Sequence, residues 1–237
     1  MNVLSVLRPF AVACNLFVLT FSTHAIEPWA DSKLPVTDGL ACWFDASAQK
    51  AARSALKLPP AQPAQLDWWL DGSGNGRHAS QPVADFRPVL KTSPGGTTVR
   101  FDGTNDFFAS TLPGLRSSEA TIFFVAAPHI NPGLFRAFLS LHPPGQNDYV
   151  AGLNVDLGGA GSGTIDRINI EAAGAGGERN LLSTRFDFGT FHVYGVVAGS
   201  GPNGLRLFVD GKLEGQRDRA LGSFGFDELL LGARCYG

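Results

Sequence analysis

Residues 191–212 read FHVYGVVAGSGPNGLRLFVDGK, and this stretch decides the fold. It contains two runs of β-branched, aromatic and aliphatic residues, Phe191–Ala198 and Leu205–Val209, separated by Pro202-Asn203-Gly204. Asn-Gly and Asp-Gly pairs tolerate the positive φ that a tight turn requires. The stretch therefore predicts one hairpin between the two runs and a second reversal at Asp210-Gly211.

Similar short runs continue outward from this hairpin, at the spacing of a β-sandwich. We expect further strands at Leu40–Phe44, Thr97–Phe101, Asp106–Ala109, Thr121–Ala126, Arg136–Leu141, Tyr149–Leu157, Asp166–Glu171, Asn180–Arg185 and Leu229–Leu231. Apolar residues at helical spacing, followed by Pro59-Pro60, predict one short helix near residues 48–58. The fold class is thus all-β, with two antiparallel sheets and an inserted helix. Phe101, Phe123 and Phe208 are expected to meet in the interior between the sheets.

Composition supports one loop-rich domain. The 237 residues include 29 Gly and 15 Pro, which disfavour helices, and 18 Phe, which can supply a packed core. The chain has 19 basic and 21 acidic side chains, so its formal charge of -2 argues against a nucleic-acid partner held by a basic surface.

The first 25 residues have the pattern of a secretory signal peptide. A single positive charge precedes the mostly apolar run Pro9–Phe21, and small residues stand at positions -3 and -1 of a cut after Ala25. An uncleaved anchor is the alternative. We expect a secreted protein, extracellular or periplasmic, with a leader over 26–38, a domain over 39–237 and no membrane span after cleavage.

Four segments together resemble a laminin-G-like (LamG) jelly roll of the concanavalin A-like lectin and glucanase superfamily. They are the opening strand at 39–47, the loop WLDGSGNGRHA at 69–79, the strand-turn-strand VRFDGTNDFF at 99–108, and LFVDGK at 207–212 with LLLGA at 229–233. The resemblance implies a concanavalin A-like jelly roll and a non-catalytic module that binds a carbohydrate or a glycosylated surface. A structural or protein-interaction domain without a sugar site is the alternative.

The sequence departs from these relatives after the LLLGA strand, where a loop and a final strand would follow. It stops at Arg234-Cys235-Tyr236-Gly237. We therefore expect a truncated chain or the front module of a longer polypeptide. In either case a partner strand or a downstream domain would complete the sheet.

Oxygen-bearing turn residues are the candidate ligand-binding residues: Asp102, Asn105, Asp106, Asn147 and Asp148. The first three surround Gly103 and can accept hydrogen bonds from the backbone of their own turn. They also form an oxygen-rich cluster of the kind that Ca²⁺ prefers. Because no complete ligand loop is visible, turn capping is favoured over calcium. The glycine-rich loop at 158–163 is expected to shape the same rim.

Two cysteines remain after the predicted cleavage, Cys42 and Cys235. They could form a disulfide that closes nearly the whole domain. Two separate thiols, with Cys42 as a small core residue, are favoured.

No motif for catalysis is present in the sequence. β-Sandwich glucanases carry paired carboxylates on one strand, and no strand here has acidic residues two positions apart in that pattern. A GxSxG nucleophile motif, a phosphate-binding glycine loop and a metal-ligand spacing of His or Cys are also missing. We therefore expect a protein that is not an enzyme and requires no cofactor.

Overall fold

The computed structural model describes residues 25–62, 64–220 and 222–235. The predicted signal peptide, 1–25, lies outside this part of the chain except for Ala25. The helices are α1 (Gln49–Ala55) and α2 (Asp148–Ala151), with a 3-10 turn at Ala84–Phe86. The strands are β1 (Trp68–Trp69), β2 (Ala79–Ser80), β3 (Val89–Ser93), β4 (Gly96–Arg100), β5 (Phe108–Thr111), β6 (Arg116–Ser117), β7 (Ala120–Ala126), β8 (Ala137–His142), β9 (Leu153–Asp156), β10 (Asn169–Ala172), β11 (His192–Ala198), β12 (Gly201–Val209), β13 (Lys212–Arg219), β14 (Phe224–Gly225) and β15 (Glu228–Leu231).

The strands form two main antiparallel sheets. The seven-stranded sheet has the order β1-β2-β5-β15-β8-β9-β10, and the four-stranded sheet has the order β13-β12-β11-β7. The pairs β3–β4 and β6–β14 form two small additional sheets. The predicted all-β sandwich is therefore confirmed, and its inserted helix is α1.

The core lies between the two main sheets because their strands alternate inward and outward side chains. Inward residues of the four-stranded sheet include Tyr194, Val196 and Leu207, which pack in one cluster with Leu153 and Val155 of the seven-stranded sheet. Three rings join the layers: Phe124 on β7 stacks on Tyr194 at 5.0 Å between ring centroids, and Phe138 on β8 lies 5.0 Å from Phe124.

The expected meeting of Phe101, Phe123 and Phe208 in this core is wrong. Phe123 is 73% exposed on the outer face of β7, because Ile122 and Phe124 take the inward positions of that strand. Phe101 packs in a separate, smaller cluster around Phe108.

Both reversals in the deciding stretch occur where turn residues predict them. Asp210 and Gly211 have φ of 50° and 81°, and Val209 pairs with Lys212, so β12 and β13 are joined by a two-residue turn. Between β11 and β12 the chain reverses over 199–204, where Gly199 N–H donates to Gly204 O at 2.7 Å and Asn203 has φ of 53°.

Three strand predictions are wrong. Leu40–Phe44 is irregular except for a single bridge from Phe44 to Asp71. The run Tyr149–Leu157 divides into α2 and β9, and Asn180–Arg185 makes only an isolated bridge at Asn180. Strand β13 was not predicted, because its sequence KLEGQRDR is polar.

Within the described residues, no helix is long and apolar enough to cross a membrane.

Candidate functional site

The candidate site lies on the outer face of the seven-stranded sheet, where β9 and β10 carry polar residues. On these strands Val155 and Ile170 point into the core, so their neighbours point the other way. The outward residues are Asn154 and Asp156 on β9 and Asn169 and Glu171 on β10. Asp156 pairs with Asn169, and Asn154 with Glu171, so four polar side chains share one surface.

Arg234 lies over this surface and is held by three carboxylates. Its Nη1 donates to Asp156 Oδ2 at 2.7 Å, and its Nη2 donates to Asp148 Oδ1 at 2.8 Å and Glu171 Oε2 at 3.1 Å. The Nε group donates to Asp148 Oδ2 at 3.2 Å. The Arg234 side chain is 3% exposed, and Asp148 and Asp156 are completely buried. Charges removed from water in this way are stable only when they are paired and hydrogen-bonded.

Burial sets the protonation of Asp156. It raises the pKa of this carboxyl group to about 6, and the negative charge of Glu171 acts in the same direction. The backbone N–H of Gly158, the Arg234 cation and the Asn169 amide oppose that rise. Asp156 therefore changes charge near pH 6, although it contacts a guanidinium.

A pocket of about 200 Å³ opens at this cluster, lined by Phe135, Tyr149, Glu171, Glu178 and Arg234. The guanidinium carbon of Arg234 lies 5.4 Å from the ring centroid of Phe135 and 5.9 Å from that of Tyr149. The pocket thus combines two aromatic rings, a cation and two carboxylates. Glu178 is its most accessible charged residue, with 34% of the side chain exposed.

Two loops build one wall of the pocket. Leu134 N–H donates to Gly159 O, and Phe135 N–H donates to Gly158 O, each at 3.0 Å. The Phe135 ring lies so close to Gly159 that an added Cβ there would be 2.9 Å from it. Glu178 accepts hydrogen bonds from Arg167 at 2.9 Å and from Gly159 N–H at 3.2 Å. The loop at 158–163 therefore supports the pocket residues Phe135 and Glu178 from behind, and it does not share a rim with Asp102, Asn105 and Asp106 at this pocket.

The predicted residues Asp102, Asn105 and Asp106 lie in a turn outside this pocket. Asp102 Oδ1 accepts from the backbone N–H groups of Thr104, Asn105 and Asp106 at 2.7, 3.1 and 3.2 Å. Partial burial acts to raise the pKa of Asp102, but these three N–H donors lower it below its ordinary value. Asp106 Oδ2 accepts from Asp102 N–H at 2.9 Å. Both carboxylates therefore cap their own turn.

The other two predicted residues begin the segment that covers the cluster. Asp148 is part of the Arg234 network and is buried, although the sequence suggested an exposed donor. Asn147 Nδ2 donates to the hydroxyl oxygen of Tyr149 at 2.9 Å, beside the pocket. In the part of the chain that the structure describes, no group of three or more His, Cys, Asp or Glu side chains could hold a metal ion.

Cys42 and Cys235 are both free in the structure. Burial, together with the charge of Asp71, raises the pKa of Cys42 to about 12. Cys235 Sγ lies 3.7 Å from Gln146 O, next to the Arg234 cluster. The two thiols have different neighbours, and neither is reactive by a lowered pKa.

Sequence reasoning missed Arg234, Glu171, Glu178 and Phe135, and it treated Asp156 only as a further exposed oxygen donor. One signal was present: Asp156 and Glu171 are acidic residues inside runs that otherwise predict buried strands. A charged residue in such a position needs a partner, but the sequence did not show that the partner was Arg234.

A second cavity, of about 500 Å³, lies on the four-stranded sheet beside the 199–204 loop. It is lined by Thr121, Arg206, Gln216 and the loop, and by no aromatic ring. Trp68 is 40% exposed and meets His78 edge-on, at 6.3 Å between ring centroids. Neither feature combines aromatic faces with buried charged groups, as the Arg234 pocket does.

No protein-family model matches the chain, and no curated protein matches it. Among solved structures it is similar to carbohydrate-binding module CBM66 from Bacillus subtilis, with 14% identity and a TM-score of 0.36 over 63% of this chain and 86% of that one. It is also similar to Trypanosoma rangeli sialidase, with 13% identity and a TM-score of 0.43 over 91% of this chain and 32% of the sialidase. A third similar structure is alginate lyase AlgAT5 from polysaccharide lyase family 7, with 12% identity and a TM-score of 0.32 over 72% and 71% of the two chains.

All three TM-scores are below 0.5, so the description of the fold rests on this chain's own strand pairing. That pairing defines a two-sheet antiparallel β-sandwich with an arginine-centred pocket on the outer face of its larger sheet.

Proposed function

We propose that the chain is a non-catalytic carbohydrate-binding module of the LamG-like kind, and that the Arg234 pocket is its binding site. The observation that carries the proposal is the pairing of the Phe135 and Tyr149 rings with Glu171, Glu178 and Arg234 around one opening. Ligand sites typically combine apolar walls with a few polar groups that fix orientation.

The chemistry of the pocket suits a sugar ring. A sugar presents C–H groups on its faces and hydroxyl groups around its edge, so it can stack on an aromatic ring while it donates hydrogen bonds to carboxylates. Arg167 and Gly159 both donate to Oε1 of Glu178, and a carboxylate has about four acceptor sites. Glu178 is therefore available to accept a hydroxyl hydrogen bond. The volume of about 200 Å³ fits a small group such as one sugar unit.

The burial and the hydrogen bonds of the carboxylates around Arg234 support binding without catalysis. A pKa of about 6 would suit a general acid, but the Asp156 side chain is completely buried beneath Arg234. Asp148 is buried in the same way, and both oxygens of Glu171 accept hydrogen bonds, from Gly177 N–H at 2.8 Å and from Arg234. Asp148 and Asp156 therefore orient the guanidinium and do not line the pocket, and Glu171, which does line it, already accepts a hydrogen bond at each oxygen.

A glycan array tests the proposal. The array should carry oligosaccharides of glucose, xylose, mannose, galactose, fructose and N-acetylglucosamine, and each bound glycan should be recovered intact by mass spectrometry. We expect binding to at least one series, and a fall in affinity of at least about tenfold in Phe135→Ala, because a stacking face is lost.

The matched control is Phe123→Ala, which removes an exposed phenylalanine from the outer face of the other sheet. It should leave binding unchanged. Absence of binding to every glycan by a chain with a normal circular dichroism spectrum would refute the carbohydrate proposal. Cleavage of a bound glycan would refute the non-catalytic part.

A protein-interaction role is the second candidate, favoured by an apolar strip on the outer face of the four-stranded sheet. Phe123 and Val125 on β7 and Val193 on β11 are 73%, 64% and 47% exposed, and Val125 pairs with Val193. Exposed apolar patches of this kind often mark interaction surfaces. Concentration-dependent association in analytical ultracentrifugation, abolished by Phe123→Ser, would favour this role.

We further propose that the module is secreted, on the sequence pattern of residues 1–25. N-terminal sequencing of the protein recovered from a culture medium or periplasm should begin at Ile26.

A further inference from the structure

The loop that carries Phe135 into the pocket has an unusual backbone. Leu134 and Phe135 have φ of 60° and 54°, in the left-handed region that disfavours bulky side chains. Among the described residues, three other non-glycine residues have positive φ: Lys57, Asn203 and Asp210. Asn and Asp tolerate this conformation, so the Leu134-Phe135 pair stands apart as two consecutive bulky apolar residues.

The surrounding structure imposes this conformation. Besides the two backbone hydrogen bonds to the 158–163 loop, buried Asn131 accepts from Gly133 N–H at 3.0 Å and donates to Leu157 O at 3.1 Å. Gly133 is packed so tightly that an added Cβ would lie 2.7 Å from Gly159 O. Strain held by such a framework clusters at ligand-binding positions.

Packing within the fold accounts for a large apolar side chain at Phe135 but not at Leu134. The Phe135 ring packs on Gly159 and lines the pocket. Leu134 is 74% exposed, so it contributes little to the core, and glycine would adopt the same φ without strain. A large apolar side chain at a strained, exposed position next to a pocket is therefore better explained by contact with a ligand.

We propose that Leu134 is a ligand-binding residue outside the pocket, so that the ligand is an oligosaccharide that extends from the pocket along the Leu134 rim. This inference rests on the proposed function. One sugar unit occupies the pocket beside Phe135, and a neighbouring unit covers Leu134. The site therefore binds a chain of at least two units more tightly than a single sugar.

Isothermal titration with matched sugars tests the inference. The probes are the monosaccharide and the tetrasaccharide of each of the six array sugars, titrated into the wild-type chain, Leu134→Gly and Leu134→Asn. For the sugar series that binds, we expect the wild type to prefer the tetrasaccharide. Both variants should lose about tenfold in tetrasaccharide affinity, as expected for one apolar contact, with monosaccharide affinity unchanged.

Stability provides the second readout. Leu134→Gly should have a melting temperature at or above that of the wild type, by up to about 2–4 °C, because the strain is relieved. Asn203→Gly is the matched control: it relaxes another left-handed position, at the 199–204 loop, and should leave both affinities unchanged.

The outcomes separate the two proposals. If neither the monosaccharide nor the tetrasaccharide of any series binds the wild type, both the function and the inference are overturned. If a sugar binds but the tetrasaccharide binds no better than the monosaccharide, or Leu134→Gly lowers both affinities equally, the inference is overturned and the function stands. A melting temperature of Leu134→Gly well below that of the wild type would show a folding role for Leu134 and also overturn the inference.

Discussion

Substitution of Arg234 by methionine tests the charge balance of the candidate site. Methionine keeps the unbranched apolar stem and removes the guanidinium, which donates four hydrogen bonds to Asp148, Asp156 and Glu171. Removal of one partner of a buried ion pair leaves the other charge uncompensated and typically costs about 3–5 kcal/mol. We expect a loss of this size in the free energy of unfolding at pH 8, which corresponds to a melting temperature about 10 °C lower.

The same loss should be smaller at pH 5. The pKa of Asp156 is already about 6 because of burial, and removal of the cation that opposes burial raises this pKa further. In the variant Asp156 is therefore protonated at pH 5 and no longer needs a counterion. Urea denaturation at pH 8 and pH 5, monitored by tryptophan fluorescence, measures both losses.

The control for this experiment is Arg206→Met, which removes an exposed arginine from the other main sheet and should change stability by less than about 0.5 kcal/mol. Arg234→Lys should recover part of the stability, because it keeps the charge but not the planar fork. A loss below about 1 kcal/mol, or an equal loss at both pH values, would refute the argument that Arg234 neutralises the buried carboxylates.

Three further predictions concern single groups. Burial raises the pKa of Asp156 in the folded state, so its contribution to stability is fully present below pH 4 and is lost as pH rises through about 6. The free energy of unfolding of the wild type should therefore fall between pH 4 and pH 8. Asp156→Asn should remove up to about 3 kcal/mol of that fall, measured by urea denaturation at each pH. Burial acts to raise the pKa of Glu214, but hydrogen bonds from Ser183, Lys212 and Thr184 lower it to about 2. Glu214→Gln should therefore destabilise the protein by about 1–2 kcal/mol at pH 7 and by little at pH 2. An equal loss of stability at both pH values would contradict this. Gly152→Ala should prevent normal folding because its Cβ would lie 1.8 Å from Leu141 O, whereas Gly163→Ala, in open space, should melt within a few degrees of the wild type by calorimetry.

Local chemistry made part of the fold predictable. The Asp210-Gly211 turn was predicted because its two residues alone provide the required positive φ values. The run Tyr149–Leu157 was predicted as one strand because apolar residues recur along its whole length. The break at Gly152 depends on the close approach of the Leu141 backbone from another strand, which the local pattern does not show.

The local sequence does not specify which side chains of a strand face the core and which face solvent. Phe123 and Phe124 are adjacent phenylalanines on β7, and either could have faced the core. Stacking of the sheets decides in favour of Phe124, which meets Phe138 and Tyr194. Hydrophobicity alone does not distinguish the two positions.

The candidate site was predictable only in fragments. The sequence suggested Asp148 and the glycine loop, but it assigned Asp148 to an exposed turn. The partner of Asp148 is Arg234, 86 residues later in the chain. Arg234 also contacts Glu171, from which it is separated by 63 residues. Pairings over such distances follow from the order of the strands in the sheet, which single motifs do not specify.

The sequence separation around Arg234 also has a consequence for biosynthesis. A nascent chain that has emerged only as far as β14 already contains both aromatic walls and all the carboxylates of the pocket, but it lacks the guanidinium that holds those carboxylates together. Until residue 234 leaves the ribosome, the acidic groups must stay hydrated or take up protons. Because Arg234 follows β15, the charge balance of the pocket is completed only after all the described strands of the two main sheets have been synthesised.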